Sequence, residues 1–346
     1  MSNIATSELS LAQAQTPGIG ARIMKLMVAL MPWVIIAALL WAGIFIRPQP
    51  VGSTITPAAL ESRDQFYGLA KVPGADLLAV GSGGKVLKIA GDSSVTRVST
   101  PVKSTLQDIA TWANGNAVAV GNDGVVLYSA DKGTTWQQAQ DVPRSEIANK
   151  LNRVRAYDAG LAIAAGEMGA LLISRDYGHS WQRLREEEDV AWNDVALLDA
   201  DTLLVVGEFG RVIRGSLSGN DWQEVDVGIG SSLMAVTFRN ESNGVAVGLE
   251  GMVLETTDGG LSWIARDSGL RDHLFDVAWQ AQQQRWFVTG ALGRWSAGKG
   301  DNWEKGILDE RNLAWHVRAL PVDGGLWLAG ANIGHWDGKT WSLLQP

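Results

Sequence analysis

The chain has 346 residues, a formal net charge of −8, no cysteine, 40 glycines and 16 tryptophans. The acidic balance argues against a nucleic-acid-binding protein, because phosphate binding needs a concentrated basic surface. The absence of cysteine excludes disulfides, thiolate metal sites and a cysteine nucleophile.

The first predicted element is an apolar helix. Leu26–Ile46 contains no charged residue, and as a helix it would span roughly 30 Å, the thickness of a bilayer core. A secretory signal peptide is the alternative, but its apolar core usually has only about 7–15 residues and ends in a small-x-small cleavage site. The run here is longer and has no obvious site of that kind. We therefore expect an uncleaved signal anchor in a bacterial inner membrane, with residues 1–25 cytoplasmic because Arg22 and Lys25 precede the helix, and with the rest periplasmic.

Residues 47–65 are predicted to be a linker between this helix and a folded domain. They contain Pro48, Pro50 and Pro57, and a Pro-rich chain extends by about 3.1 Å per residue. Within the linker, Val51–Ile55 has the composition of a strand and could instead join the sheet of the following domain.

The remaining residues, 66–346, form a sevenfold repeat. The first glycine of a G-x-x-G-like turn recurs with a period of about 41 residues, at positions 81, 121, 166, 207, 248, 290 and 330. Each unit supplies four short apolar runs, and no helical period follows residue 65.

This pattern predicts an all-β protein, a seven-bladed β-propeller of four-stranded blades preceded by one N-terminal transmembrane helix. The blades are predicted to begin near residues 66, 105, 150, 191, 232, 273 and 313. A solenoid is the alternative, but it would need polar terminal repeats as caps, and the sequence has none. The closure of the ring is left open, and Val51–Ile55 could pair with the last blade.

Three units contain an Asp box. Ser129–Trp136 fits the pattern S-x-D-x-G-x-T-W, and Ser174–Trp181 and Thr256–Trp263 fit it with conservative changes. The carboxylate can accept bonds from backbone N–H groups of the turn, the glycine permits positive φ, and the tryptophan packs between sheets. We interpret these residues as fasteners between the third and fourth strands rather than as catalytic groups: Ser129, Asp131, Gly133, Trp136, Ser174, Asp176, Gly178, Trp181, Thr256, Asp258, Gly260 and Trp263.

The Asp boxes resemble the repeats of bacterial neuraminidases. The full pattern A-V-G-x-x-G-x-[VL]-L-x-[ST]-x-D-x-G-x-[ST]-W is even more similar to the photosystem II stability and assembly factor family, over about residues 66–345. This resemblance implies a non-enzymatic assembly factor that docks on membrane proteins. In bacteria without photosynthesis, it implies an association with exporters of the resistance-nodulation-division (RND) type. The transmembrane anchor departs from the soluble or lipid-anchored forms of the photosynthetic members.

The sequence contains no recognisable catalytic or metal site. The F/Y-R-I-P sequence that a resemblance to sialidases would imply is absent. The four histidines lack the spacing of metal ligands, and the G-x-x-G turns lack the GK[ST] of a phosphate loop. We therefore predict no enzymatic activity and no cofactor.

The candidate docking face carries the turns between second and third strands. Because strand directions alternate, these turns emerge on the same face as the links between blades, and the Asp boxes emerge on the other. Loops on a rigid scaffold are natural docking sites. The resemblance implies an arginine patch, for which the candidates by repeat position are Arg153, Arg155, Arg211, Arg294 and Arg318. The other candidate docking residues are Asp123, Glu167, Glu208, Glu250, Arg271 and His273. A solvated rim of weak ion pairs is the alternative.

Two functional hypotheses follow. The first is a non-enzymatic, membrane-anchored propeller that acts as an assembly factor or an accessory or scaffold subunit of a membrane protein complex. Its favoured partner is an RND-type exporter, and photosystem II is the alternative. The second is a glycan-binding or sialidase-like propeller, in which Trp286, Trp295 and Trp327 would stack on sugars. Neither nucleic acid nor a small-molecule ligand is expected.

Overall fold

The computed structural model describes residues 18–45, 58–74 and 76–345, so the proposed strand at Val51–Ile55 lies outside the described residues. The chain divides into two compact units, Met1–Pro57 and Ala58–Pro346. The first unit contains helix α1 (Ile19–Phe45), whose segment Arg22–Phe45 is long and apolar enough to cross a membrane. The helix begins before the predicted Leu26 because Arg22 and Lys25 are good helix formers and extend it beyond the apolar run.

The second unit is a ring of seven antiparallel sheets with four strands each, so the predicted seven-bladed propeller is confirmed. Blade 1 contains β1 (Phe66–Lys71), β2 (Leu77–Gly81), β3 (Val86–Ile89) and β4 (Val95–Val98). Blade 2 contains β5 (Leu106–Thr111), β6 (Ala117–Gly121), β7 (Val126–Ser129) and β8 (Gln137–Gln138). Blade 3 contains β9 (Leu151–Ala156), β10 (Ala162–Gly166), β11 (Leu171–Ser174) and β12 (Gln182–Arg183).

The other four blades repeat this order. Blade 4 contains β13 (Trp192–Leu197), β14 (Thr202–Gly207), β15 (Val212–Ser216) and β16 (Gln223–Glu224). Blade 5 contains β17 (Leu233–Phe238), β18 (Gly244–Gly248), β19 (Val253–Thr256) and β20 (Ile264–Ala265). Blade 6 contains β21 (Leu274–Gln280), β22 (Arg285–Gly290), β23 (Arg294–Lys299) and β24 (Asn302–Ile307). Blade 7 contains β25 (His316–Val322), β26 (Gly325–Gly330), β27 (Ile333–Trp336) and β28 (Trp341–Leu343).

The core lies between the blades. The second strand of blade 2, β6, is buried at every position, because it has a strand on either side and a neighbouring blade on each face. Its sequence of alternating alanine and valine suits this position, since small and β-branched side chains pack well on a pleated surface. Each apolar cluster mixes adjacent blades, as where Leu78 of blade 1 and Leu106 of blade 2 share one cluster. The burial of apolar side chains therefore stabilises the ring as a whole rather than any single blade.

The first glycine of each repeat is required by a close backbone approach. A Cβ at Gly121 would lie 2.2 Å from the carbonyl oxygen of Thr105, and the next N–H, from Asn122, donates to that same oxygen at 2.9 Å. The carbonyl belongs to the link that leads into the innermost strand, so the contact ties each turn to the start of its own blade. The same approach recurs, with Cβ–O distances of 1.9–2.5 Å, at Gly81, Gly166, Gly207, Gly248, Gly290 and Gly330.

The Asp boxes close the hairpins between third and fourth strands. Asp131 Oδ1 accepts the backbone N–H of Thr135 at 2.8 Å and the hydroxyl of Ser129 at 2.8 Å. The indole of Trp136 donates to the carbonyl of Gly133 at 3.2 Å. Asp176 and Asp258 accept the equivalent backbone N–H bonds at 2.9 and 3.0 Å. In blade 2 the tryptophan precedes the fourth strand, which begins at Gln137, rather than starting it.

Each Asp box also packs against the preceding blade. A Cβ at Gly133 would lie 2.6 Å from the side chain of Leu78 in blade 1, and one at Gly260 would lie 2.1 Å from Leu204 in blade 4. The glycine is therefore needed for space as well as for its positive φ.

The ring closes by side-chain packing. Phe66 and Leu69 of blade 1 share an apolar cluster with Ala329, Ile333 and Leu344 of blade 7. Among the described residues, every sheet consists of four consecutive strands, and no strand is exchanged between the first and last blades.

Candidate functional site

Charged side chains fill the middle of the central channel. They occupy the third position of the innermost strands in five blades, while blades 1 and 5 have Gly68 and Ala235 there. The five are Asp108, Arg153, Asp194, Asp276 and Arg318, and none is more than 9% exposed. Arg155, two residues after Arg153, joins them through Asp194. Three carboxylates therefore face three guanidinium groups, and we call these six residues the channel network.

Asp194 is the centre of the channel network. Its carboxylate accepts a fork of two bonds from Arg155, from Nε at 3.1 Å and from Nη2 at 2.6 Å. It also accepts the backbone N–H groups of Val195 at 2.8 Å and of Val236, in the next blade, at 3.0 Å. Arg153 Nε lies 3.2 Å from Oδ1. The side chain is fully buried, so one carboxylate links blades 3, 4 and 5.

Asp108 and Asp276 repeat this arrangement two blades away on either side. Asp108 accepts the N–H of Val154 in blade 3 at 3.0 Å, and Asp276 accepts that of Ala319 in blade 7 at 2.8 Å. Arg318 Nε donates to Asp108 at 3.0 Å, across the gap that Gly68 leaves in blade 1. Arg153 Nη2 reaches Asp276 on the far side of the channel at 3.4 Å.

Burial raises the pKa of both Asp108 and Asp276 to about 6, because a carboxylate loses hydration there, while the charges of Arg153 and Arg155 act in the opposite direction. A pKa near 6 still leaves both carboxylates mainly ionised at neutral pH. They therefore balance the charge of the arginines.

The channel network separates two cavities. One, of about 360 Å³, opens among the turns between second and third strands, and Arg153 and Arg318 line its floor. The other, of about 480 Å³, lies toward the Asp boxes and is lined by Arg155, Asp108 and Asp276. We call the face with the first cavity the turn face and the opposite one the Asp-box face.

The mouth of the cavity on the turn face has a polar and an apolar side. It is formed by the second residue of every innermost strand. Blades 2 to 4 contribute Gln107, Asn152 and Asn193, and blades 5, 6, 7 and 1 contribute Met234, Phe275, Val317 and Tyr67. The ring of Tyr67 stacks on Trp315, with centroids 5.7 Å apart. The amides of Gln107 and Asn193 are already bonded, to Asn122 at 2.9 Å and to the carbonyl of Leu233 at 2.8 Å.

Apolar side chains project from the rim of the turn face. Phe209 is 69% exposed and Leu292 is 42% exposed. Both occupy the third position of a G-x-x-G turn with positive φ, 57° and 58°. Glycine, asparagine or aspartate would fit this left-handed backbone with less strain. The backbone at these tips does not require a phenylalanine or a leucine.

The structure does not gather the predicted arginine patch on the turn face. Arg153 and Arg318 are buried in the channel network, and Arg155 lines the cavity toward the Asp-box face. Arg211 pairs with Glu188 and Glu224 and lies over the ring of Trp192, 5.1 Å from its centroid. Of the five predicted arginines, Arg294 is the most exposed, and it pairs with Asp272 at 3.1 Å.

The other predicted docking residues do lie on the turn face. Glu167 and Glu208 line the mouth and accept the backbone N–H groups of Lys150 and Ala191 at 3.1 and 2.9 Å. The remaining four are at the rim. Asp123 accepts the hydroxyl of Ser104 at 2.9 Å. Arg271 pairs with Asp267 at 3.1 Å, and the backbone N–H of Glu250 donates to Nδ1 of His273 at 3.0 Å.

Sequence reasoning missed Asp108 and Asp276 as channel residues, and Phe209 and Leu292 as exposed apolar tips. Both pairs have a signal in the repeats. Aligning the third residue of each innermost strand shows alternating Asp and Arg, and aligning the turns shows apolar residues where the backbone favours glycine.

The three tryptophans proposed to stack on sugars pack against neighbouring side chains of the propeller. Trp286 is 1% exposed and packs against Trp279, and Trp295 stacks on Phe287 and contacts Trp336 at a tilt of 47°. Trp327 is partly buried against the apolar cluster that blades 1 and 7 share. Among the residues that the structure describes, no three His, Asp or Glu side chains form a group that could hold a metal ion.

A family model described as photosynthesis system II assembly factor YCF48 matches residues 87–200 and 214–313. Among solved structures, YCF48 bound to D1 peptide has a TM-score of 0.64 and 14% identity, over 78% of this chain and 92% of that one. YCF48 from Cyanidioschyzon merolae has a TM-score of 0.65 and 14% identity, over 79% and 96%. PorZ of the type-IX secretion system of Porphyromonas gingivalis has a TM-score of 0.59 and 15% identity, over 82% of this chain and 38% of its own. These structural similarities show the fold, and no curated protein matches the sequence significantly.

Proposed function

Because the chain belongs to the photosynthesis system II assembly factor YCF48 family, we propose that it is a non-enzymatic propeller that docks on an integral membrane protein, as an assembly factor or accessory subunit. The family implies a role in assembly or protein interaction. The observation that carries the proposal for this chain is the pair of apolar tips on the turn face, Phe209 and Leu292, 69% and 42% exposed.

The backbone at these tips supports a binding role. A residue other than glycine costs about 1 kcal/mol in a left-handed conformation, and exposing a phenyl ring to water gives no stabilisation that offsets this cost. An apolar residue at such a position is expected where it contacts a partner. Equivalent turns in blades 2 and 5 have Asp123 and Glu250 with φ of 59° and 60°, so the fold itself does not require an apolar side chain there.

A related structure supports a polypeptide as the partner. The similar propeller of YCF48 is described as bound to D1 peptide. At 14% identity this supports the class of ligand, a protein segment, and leaves its sequence open.

We favour an RND-type exporter as the partner, with photosystem II as the alternative. This preference rests on the association with exporters that the sequence resemblance implies and on α1, which is long and apolar enough to cross a membrane and departs from the soluble or lipid-anchored photosynthetic forms. An anchor raises the effective concentration of the propeller near other membrane proteins, so even a weak docking face would be occupied.

Affinity purification of the full chain from native membranes in mild detergent, followed by mass spectrometry, tests this proposal. We expect a stoichiometric membrane partner. We also expect Phe209→Asn and Leu292→Asn together to reduce its recovery about tenfold or more, through loss of two buried apolar contacts. Asparagine suits positive φ, so the double variant should fold at least as stably as the parent chain.

The matched control is Leu261→Asn, because Leu261 is 60% exposed on the Asp-box face. Recovery of the chain alone at every expression level would refute the docking role. Equal losses for the control and the double variant would refute the turn face as its location. Recovery of photosystem II subunits would identify photosystem II, rather than an exporter, as the partner.

We also propose that α1 is retained as a signal anchor in the inner membrane, with a cytoplasmic N-terminus and a periplasmic propeller. Arg22 and Lys25 near the start of α1 support this orientation. The chain contains no cysteine, so single cysteines report topology directly. We expect an impermeant maleimide to label Gln283→Cys, at an exposed loop of the propeller, and to leave Ser7→Cys unlabelled in intact spheroplasts.

The full-length chain should stay in the membrane after alkaline carbonate extraction. A shortened chain in the soluble periplasmic fraction would identify a cleaved signal sequence instead. Labelling of Ser7→Cys alone would show the opposite orientation, with the N-terminus in the periplasm.

A further inference from the structure

We infer that the segment docking on the turn face is cationic, with an apolar side chain for the mouth and flanking lysine or arginine residues for the rim. This inference rests on the proposed docking function and specifies the chemistry of the partner. It runs against the arginine patch expected from the sequence, which would favour an acidic partner.

The first argument is that most arginines at the rim of this face are already paired with carboxylates. Arg271 and Arg294 lie 3.1 Å from Asp267 and Asp272, and Arg311 lies 3.5 Å from Asp309. Arg211 pairs with two glutamates. An acidic partner would therefore meet arginines whose charge is largely balanced by their neighbours.

The second argument is that the carboxylates of the same face are mostly unpaired. Across the described ranges, ion pairs within 4.0 Å are absent for the turn residues Asp123, Glu167, Glu208 and Glu250 and for the link residues Glu146, Glu186, Asp189, Asp226 and Glu310. The basic residues of the links and turns on this face without such a pair are fewer: Arg63, Lys103, Arg144 and Lys150. The remaining field is therefore negative, and it attracts and orients a positively charged segment.

The third argument is the shape and chemistry of the mouth. Phe275, Met234 and Val317 line one side of a cavity of about 360 Å³ that has room for a large apolar side chain. Glu167 and Glu208 line the opposite side, together with one basic residue, Lys150. Each glutamate uses Oε2 for a backbone N–H and keeps Oε1 for a further donor. An apolar residue in the cavity would bring a neighbouring lysine or arginine within reach of these carboxylates.

This charge distribution also distinguishes the candidate occupants. Anionic lipid headgroups and acidic peptides would both be repelled by the unpaired carboxylates. A neutral apolar segment would fill the mouth but bring no cation to Glu167 and Glu208. A cationic apolar segment satisfies both parts of the surface.

Three end-blocked peptides test the inference on the full chain in neutral phosphatidylcholine nanodiscs. All contain a central Leu-Phe pair, which is flanked on both sides by two lysines, two glutamines or two glutamates. By fluorescence anisotropy, we expect the lysine peptide to bind about tenfold or more tightly than the glutamine peptide, and the glutamate peptide to bind most weakly. Raising NaCl from about 50 to about 500 mM should remove most of the lysine advantage, because salt screens exposed charges.

Variants locate the effect. The double variant Glu167→Gln, Glu208→Gln keeps an acceptor for each backbone N–H. It should weaken binding of the lysine peptide about three- to tenfold and change binding of the glutamine peptide little. The matched control is Glu241→Gln with Asp301→Asn, which removes two exposed charges elsewhere on the propeller. Phe275→Ala should weaken the lysine and glutamine peptides alike, and unchanged thermal melting of each variant confirms its fold.

Tighter binding of the glutamate peptide, equal binding of all three, or no binding of any would overturn the inference. An equal loss of affinity for the lysine peptide in the Glu241→Gln, Asp301→Asn control would also overturn it. If a membrane partner is still recovered and lost with the Phe209 and Leu292 variants, the docking function stands and only the cationic chemistry fails.

Discussion

Asp194→Ala is expected to lower the free energy of unfolding by about 3–5 kcal/mol, the usual cost of removing one partner from a buried ion pair. The substitution leaves Arg155 without its two-bond partner and takes the acceptor from the backbone N–H of Val236. The N–H of Val236 then stays buried without an acceptor, and the buried Arg153 and the partly exposed Arg155 both lose a counter-charge. Urea denaturation of the full chain in detergent, followed by tryptophan fluorescence, measures the change.

The exposed carboxylate of Asp301 provides the control, because its side chain is 90% exposed and also pairs with an arginine, Arg266. Asp301→Asn should change the free energy of unfolding by less than about 0.5 kcal/mol. A loss below about 1 kcal/mol for Asp194→Ala would mean that water replaces the carboxylate and that the channel network does not hold the blades together.

The second large effect is expected at the first glycine of the sixth repeat. Gly290→Ala would put a Cβ 1.9 Å from the carbonyl oxygen of His273, which is a backbone atom and cannot rotate away. The innermost strand and its turn must separate, at a cost of about 2–3 kcal/mol or more. The N–H of Ala291 would also lose its bond of 2.9 Å to that carbonyl. Thermal unfolding followed by circular dichroism measures the loss.

Gly230→Ala is the matched control, because a Cβ there meets nothing within 4 Å. We expect it to be neutral within about 0.5 kcal/mol. If Gly290→Ala is equally neutral, the repeated glycine is explained by something other than the approach of the two backbones.

The propeller was predictable because its determinants are local and repeated. The turn beginning at Gly121 and the Asp box of Asp131 depend on residues close in the sequence, and each signal occurs several times. Averaging over the repeats compensates for degenerate copies. The start of α1 at Ile19 was not predictable from hydropathy, because the charged residues of its first turns follow helix propensity instead.

The docking face was predictable only in outline. Strand alternation is sufficient to assign Glu167 and Glu208 to the turn face. It cannot show that Arg318 pairs with Asp108, 210 residues away, or that Arg153 reaches Asp276, 123 residues away. These contacts depend on where the blades lie around the ring. Repeat position alone therefore suggests an unpaired arginine even where a carboxylate across the channel neutralises its charge.

In the part of the chain that the structure describes, every blade consists of consecutive strands, and this has an evolutionary consequence. Every blade lies within one uninterrupted repeat of about 41 codons, from the start of its innermost strand to the start of the next blade. Duplication of such a stretch copies a whole sheet with its turn and its Asp box, and no existing sheet is divided. The copies can then diverge one at a time, and the same turn position holds Phe209 in blade 4 and Glu250 in blade 5.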